Sequence, residues 1–100
     1  MPSAAAPPAK DARKAAAEAR SLIAPLKKEL DGVEALVARL TKALGEIDLA
    51  LADPKLFKRP AEMGQLGRDR TRAQANLAKA EGQWLELAEK YEAAKTQAGL

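Results

Sequence analysis

The stretch IAPLKKELDGVEALVARLTKALGEIDLAL, residues 23–51, decides the fold. Its large apolar residues recur at alternating steps of three and four without a polar interruption. They are Ile23, Leu26, Leu30, Val33, Val37, Leu40, Leu44, Ile47 and Leu51. This spacing is the heptad pattern of a coiled-coil helix that packs through one apolar stripe. The helix is expected to end near Ala52, because Pro54 disfavours helical backbone at Asp53.

A second heptad series follows Pro60, and its side chains alternate between large and small. Its members are Met63, Leu66, Arg70, Ala73, Leu77, Ala80, Trp84, Leu87, Tyr91, Ala94 and Ala98. The uniformly large first series complements this mixture, so we expect the two helices to pack on each other. Helices of about 30 residues span roughly 45 Å, which is further than the short connector can reach. The hairpin must therefore be antiparallel.

The two heptad series of such a hairpin can be aligned with each other in two registers. One register brings Lys27 near Glu81. The other pairs Leu44 with Ala73 and sets Glu34 near Glu81. The sequence favours neither strongly. In both cases it predicts an all-α fold, an antiparallel two-helix coiled-coil hairpin with a disordered Pro/Ala-rich N-terminal linker.

The chain divides into three predicted segments. Residues 1–10 are Pro- and Ala-rich and are expected to form a disordered linker. Residues 11–24 have an apolar face made almost entirely of Ala, so they are predicted to be linker or a marginal helix. Pro25 then stops, kinks or restarts the helix. The hairpin occupies residues 25–97, with helices at about 25–52 and 61–97 and a turn at 53–60.

The composition excludes most classes of enzyme. The chain has 100 residues, no Cys and no His, and much of its 47% hydrophobic content is Ala. It therefore lacks thiol chemistry, the commonest metal ligand and the usual general base. No Gly-rich phosphate-binding loop is present. We expect no catalysis, no cofactor and no metal site.

Neither a membrane-spanning run nor a signal-peptide core is apparent, so a cytoplasmic location without membrane contact is expected.

The charges are distributed unevenly, although the net charge is only +3. Residues 55–80 carry seven basic and two acidic side chains. Six of the basic residues lie at or near the hairpin turn and are the candidate nucleic-acid-binding residues, since long cationic side chains neutralise phosphates without a base-specific pocket. They are Lys55, Lys58, Arg59, Arg68, Arg70 and Arg72. An ordinary solvated surface is an equally good interpretation of composition alone.

Five residues near or within the heptad series have alternative interpretations. Arg70 occupies a heptad position, where it either forms an ion pair or extends out to solvent near the turn, and the second is favoured. Trp84 and Tyr91 are expected in the core rather than stacked on bases. Leu56 and Phe57 are expected to fold back and close the end of the hairpin, with direct ligand contact as the alternative.

Two motifs resemble the C-terminal coiled-coil domain of Uup-like ABC-F ATPases. They are LALADPKLF, residues 49–57, and WLELAEKYE, residues 84–92, and the resemblance extends from about residue 26 to residue 94. In that family the domain follows two ATP-binding cassettes and a charged linker. The resemblance implies a helical hairpin that binds DNA or, in the wider family, nucleic acid associated with the ribosome and translation.

The resemblance also implies that the chain is an excised domain of a larger ATPase, with a free-standing protein as the alternative. The expected function is a non-catalytic accessory domain that contacts the phosphates of DNA or ribosomal RNA. The alternative function is a positioning arm that docks on the ribosome or on the ATP-binding cassettes of its own chain. A self-associating coiled coil is the third possibility, although a monomer is expected.

Overall fold

The computed structural model describes residues 9–100, and this part of the chain is helical and contains no strand. Helix α1 spans Ala9–Leu51 and helix α2 spans Pro60–Ala98. Between them lies a five-residue 3₁₀ helix, Pro54–Lys58, which we call the connector helix. The all-α two-helix hairpin is thereby confirmed, and α2 begins and ends within one residue of the expected bounds.

The heptad series predicts the buried residues of both helices correctly. Every residue of the two series is buried or half-buried, whereas most residues between them are exposed. The most deeply buried is Ala80 of α2, at 1% exposure, and Leu30 of α1 is at 8%. Small residues of α2 are therefore enclosed most completely, as expected where they face the larger side chains of α1.

Residues 31–85 form one compact unit that contains the end of α1, the connector helix and the start of α2. Within it, Arg70 Nε donates a hydrogen bond to Asp48 Oδ1 across the two helices, at 2.6 Å. Glu34 and Glu81 line the same groove between the helices. Both observations agree with the register that sets Glu34 near Glu81, and they resolve the ambiguity left by the sequence.

The start of α1 differs from the expected start of the hairpin. The helix already includes Ala9 and Lys10, which were expected in the disordered linker, while residues 1–8 of that linker lie outside the described residues. Ala19 is buried at 3% exposure and Ala16 is half-buried. These two alanines continue the three–four spacing upstream, so residues 11–24 are part of α1 rather than a linker.

Pro25 lies inside α1 without ending it. A proline in a helix interior removes one backbone hydrogen bond and costs about 3 kcal/mol. Ile23 and Leu26 on either side are half-buried, and burial of such side chains stabilises the helix against this cost. The second compact unit, of which residues 9–30 and 86–100 are described, retains a continuous helix through the proline.

Within residues 9–100, neither helix has a segment apolar enough to cross a lipid bilayer.

Candidate nucleic-acid interface

The connector helix has a defined backbone path because one side chain and several backbone groups hold it. Asp53 precedes the helix, and its Oδ1 accepts a hydrogen bond from the backbone N–H of Lys55 at 2.9 Å. The N–H of Leu56 donates to the carbonyl of Asp53 at 3.0 Å, and the N–H of Arg59 donates to the carbonyl of Leu56 at 2.9 Å. Pro54 fixes φ at the first helical position. The side chains of this segment are therefore presented from a well-supported turn.

Leu56 and Phe57 point in different directions, although both were expected to close the end of the hairpin. Leu56 is buried at 6% exposure and does close it, whereas Phe57 is 81% exposed. The expectation was therefore right for Leu56 and wrong for Phe57. The reason is geometric, because neighbouring side chains of a 3₁₀ helix are roughly 120° apart. When Leu56 faces inward, Phe57 must face solvent.

Lys55 and Lys58 are the two cations of the connector helix, and both are exposed. They are three residues apart, so their side chains lie on the same side of a 3₁₀ helix. Within residues 9–100, neither forms an ion pair. Arg59 follows them, and its Nη1 lies 3.5 Å from Glu62 Oε2, with both side chains more than half exposed. An exposed pair of this kind is weak, so Arg59 can exchange Glu62 for another anion.

Two further cations project from the outer face of α2. Arg68 and Arg72 are four residues apart, which places them on one side of the helix, and both are exposed. Arg68 Nη2 donates to Gln65 Oε1 at 3.1 Å, while Gln65 Nε2 donates to Asp69 Oδ1 at 2.8 Å. These contacts orient Arg68 without neutralising it, because its direct partner is an amide. Arg72 forms no ion pair within residues 9–100.

Arg70 differs from the other five candidate cations because its acidic partner lies on the other helix and in closer contact than Glu62 lies to Arg59. Its 2.6 Å contact with Asp48 is an ion pair, and the side chains are 37% and 49% exposed. The hydrogen bond to Asp48 and the negative charge of that carboxylate raise the pKa of Arg70. Arg70 therefore connects α1 to α2, and the favoured interpretation of an unpaired side chain extending to solvent was wrong.

The remaining five candidates form what we call the cationic surface. It consists of Lys55, Lys58, Arg59, Arg68 and Arg72.

Arg70 and Arg72 should respond differently to the same substitution. We expect Arg70→Gln to lower the Tm, because Asp48 loses its partner, but to leave the salt dependence of the predicted DNA binding nearly unchanged. Arg72→Gln should leave the Tm unchanged and reduce the slope of log K against log salt by about one. Circular dichroism and fluorescence anisotropy measure the two quantities. Partial recovery of the Tm in an Asp48→Arg, Arg70→Asp double variant would support the ion pair. A salt slope that falls equally in Arg70→Gln and Arg72→Gln would contradict the separate roles given to these two residues.

A groove in the unit of residues 31–85 is a second surface feature. Its volume is about 380 Å³, and it is lined by Glu34, Val37, Glu81, Trp84 and Leu85. Trp84 is half-buried, as is expected of a core residue, and its Nε1 is buried without a hydrogen-bond partner among residues 9–100. Leu85 is 58% exposed and lies outside the heptad series, so the heptad pattern gives no signal for this groove.

The model of the ABC transporter C-terminal domain family matches residues 24–89. Comparison with curated proteins found no match, and comparison with solved structures found none either. The family match covers about two-thirds of the chain and includes the connector helix and the whole cationic surface. It supports the coarser part of the resemblance, a C-terminal domain of a protein related to ABC transporters. The chain therefore belongs to the ABC transporter C-terminal domain family.

Proposed function

We propose that the chain is a non-catalytic accessory domain of a Uup-like ABC-F ATPase and that it binds nucleic acid, DNA in particular, through the cationic surface. The observation that carries the proposal is the exposure of Lys55 and Lys58 without an ion pair within the described residues, next to Arg59 and near Arg68 and Arg72. A cation that is already paired must lose its partner before it contacts a phosphate, whereas Lys55 and Lys58 have none to lose within the described residues.

The dimensions of the cationic surface suit a phosphate backbone. Along α2, a rise of 1.5 Å per residue places Arg72 roughly 20 Å from Arg59. Duplex DNA carries about one phosphate for every 1.7 Å of its axis, so several phosphates fall within this length. Contacts of this kind position a protein on nucleic acid without reading its sequence. We therefore propose sequence-independent binding to the phosphates of DNA or ribosomal RNA.

An acidic side chain near the end of α1 favours an approach of the nucleic acid from the α2 side of the hairpin. Glu46 is exposed on α1 about two turns before the connector helix and forms no ion pair within residues 9–100, whereas Asp48 is paired with Arg70. A phosphate backbone that approached along α1 would meet the carboxylate of Glu46 and be repelled by it. Approach from the side of Arg68 and Arg72 avoids that repulsion.

Titration of fluorescein-labelled duplex DNA with the protein over a series of salt concentrations tests the proposal. If five cations contact phosphates, the slope of log K against log salt should be about −4 to −5. Duplexes of unrelated sequence should bind with nearly equal affinity. Absence of binding at low salt, or an affinity that does not change with salt, would contradict the proposal.

The alternative function, a protein-docking arm, is supported by the groove at Trp84. Its apolar lining and the carboxylates of Glu34 and Glu81 suit a partner segment with one apolar and one basic side chain, such as a segment of an ATP-binding cassette. Competition distinguishes the two functions. If unlabelled DNA fails to displace the protein from ribosomes or from the cassettes, docking is favoured over phosphate binding.

A further inference from the structure

Phe57 is the most exposed of the five large apolar side chains found on the surface among residues 9–100, with 81% of its surface accessible. The chain has only three aromatic residues, and the other two, Trp84 and Tyr91, are half-buried at heptad positions. Phe57 contributes nothing comparable to the core. It lies between Lys55 and Lys58 in the sequence of the connector helix, which suggests a role in binding.

The local backbone holds the Cα–Cβ bond of Phe57 in a defined direction. Leu56 is anchored in the end of the hairpin, and the backbone on either side is held by the hydrogen bonds of Asp53 and Arg59. Because a 3₁₀ helix has three residues per turn, Phe57 lies on the face next to the one that carries Lys55 and Lys58. An aromatic side chain is thus placed beside two cations on one well-supported turn, so little backbone conformational entropy is lost when a ligand binds.

We infer that Phe57 stacks on an unpaired base of single-stranded nucleic acid while Lys55 and Lys58 contact the adjacent phosphates. The inference rests on the proposed function and specifies its substrate. An aromatic ring beside cations is the combination that binds single strands, because every base has a π-face and every nucleotide a phosphate. In a continuous duplex the faces of the bases are covered by their neighbours. Phe57 can therefore favour a single strand over a duplex, which phosphate contacts alone cannot do.

A lipid surface is the other macromolecular ligand to which an aromatic ring and cations could bind. Stable attachment to a membrane interface requires an extended apolar face. Here Leu56 is buried, so the connector helix offers one large apolar side chain and not a face. The single-stranded ligand is therefore the better fit.

The experiment measures binding of a fluorescein-labelled oligothymidine strand and of a duplex of equal length, by anisotropy at one low salt concentration. Phe57→Ala should weaken single-strand binding roughly 5- to 150-fold and change duplex binding by less than about twofold. Phe57→Trp should retain single-strand binding. Phe57→Leu keeps the apolar bulk without a π-face and should behave like Phe57→Ala. Leu49→Ala is the matched control, because Leu49 is 75% exposed on α1 and should have no effect on either ligand.

Each outcome decides the inference. Equal loss of single-strand and duplex binding in Phe57→Ala, or wild-type binding by Phe57→Leu, would overturn stacking. So would wild-type binding by Phe57→Ala itself, provided that the wild-type protein binds with the expected salt dependence; in that case only the inference fails. If the wild-type protein binds neither oligonucleotide, the proposed function fails as well. Co-sedimentation of the wild-type protein, but not of Phe57→Ala, with anionic vesicles would assign the ring to lipid instead.

Discussion

Replacement of Lys58, Arg59, Arg68 and Arg72 by glutamate is expected to weaken binding to duplex DNA on the order of 100-fold at low salt. Each change removes an attraction to a phosphate and introduces a repulsion. The slope of log K against log salt should approach zero, because the variant releases few counterions from the DNA. All four side chains are exposed, so circular dichroism should show unchanged helicity. Anisotropy titrations at several salt concentrations provide the measurement.

A second quadruple variant separates the position of the charges from their number. Its changes are Arg39→Glu, Lys42→Glu, Lys79→Glu and Lys90→Glu, which alter the net charge by the same amount at exposed positions outside the cationic surface. We expect this control to lose much less affinity than the first variant. Equal losses would show that net charge alone governs binding, and an unchanged affinity in the first variant would exclude the cationic surface as the interface.

The largest effect on stability is expected for Ala80→Asp. Ala80 is 1% exposed in the interior of the unit formed by residues 31–85. An aspartate there places an unpaired carboxylate against apolar side chains and is too short to extend its charge into water. We expect the free energy of unfolding to fall by about 3 kcal/mol or more, which corresponds to a decrease in Tm of at least about 10 °C. Thermal unfolding followed by circular dichroism measures it.

Ala78→Asp is the matched control for this substitution. Ala78 lies on the same helix two residues away and is exposed. The change lowers helix propensity by the same amount as at Ala80, which costs no more than about 0.7 kcal/mol, but it leaves the carboxylate in water. If Ala78→Asp destabilised the protein as much as Ala80→Asp, burial at Ala80 would not be the reason for the loss.

The heptad spacing predicted the two helices and their buried faces, because a repeat of three and four residues leaves few other ways to bury large side chains. It underestimated the length of α1, which begins at Ala9 and not at about residue 25. Ala16 and Ala19 continue the spacing, but a methyl group indicates a buried position only weakly. A helix whose apolar face is Ala is also only marginally stable in isolation. Pro25 strengthened the impression of a boundary. Packing of residues 9–30 in a unit with residues 86–100 extends the helix, and local sequence does not contain that information.

The candidate cations were identifiable from composition, whereas their individual states were not. The ion pair of Arg70 with Asp48 depends on the register of the hairpin, which the sequence left open between two choices. The exposure of Phe57 depends on the 3₁₀ geometry of the connector, since only that geometry separates Phe57 from Leu56 so sharply. Both are properties of backbone arrangement, and neither follows from residue type.

The shortness of the connector helix has a consequence under mass action. A coiled coil built from separate chains dissociates on dilution, because its formation depends on the concentration of each chain. In residues 31–85 the two helices are joined by the five-residue connector helix and its flanking turns. Each helix therefore experiences the other at a high effective concentration, and dilution does not change that concentration. The packing of this segment is thus independent of how many copies of the protein a cell contains.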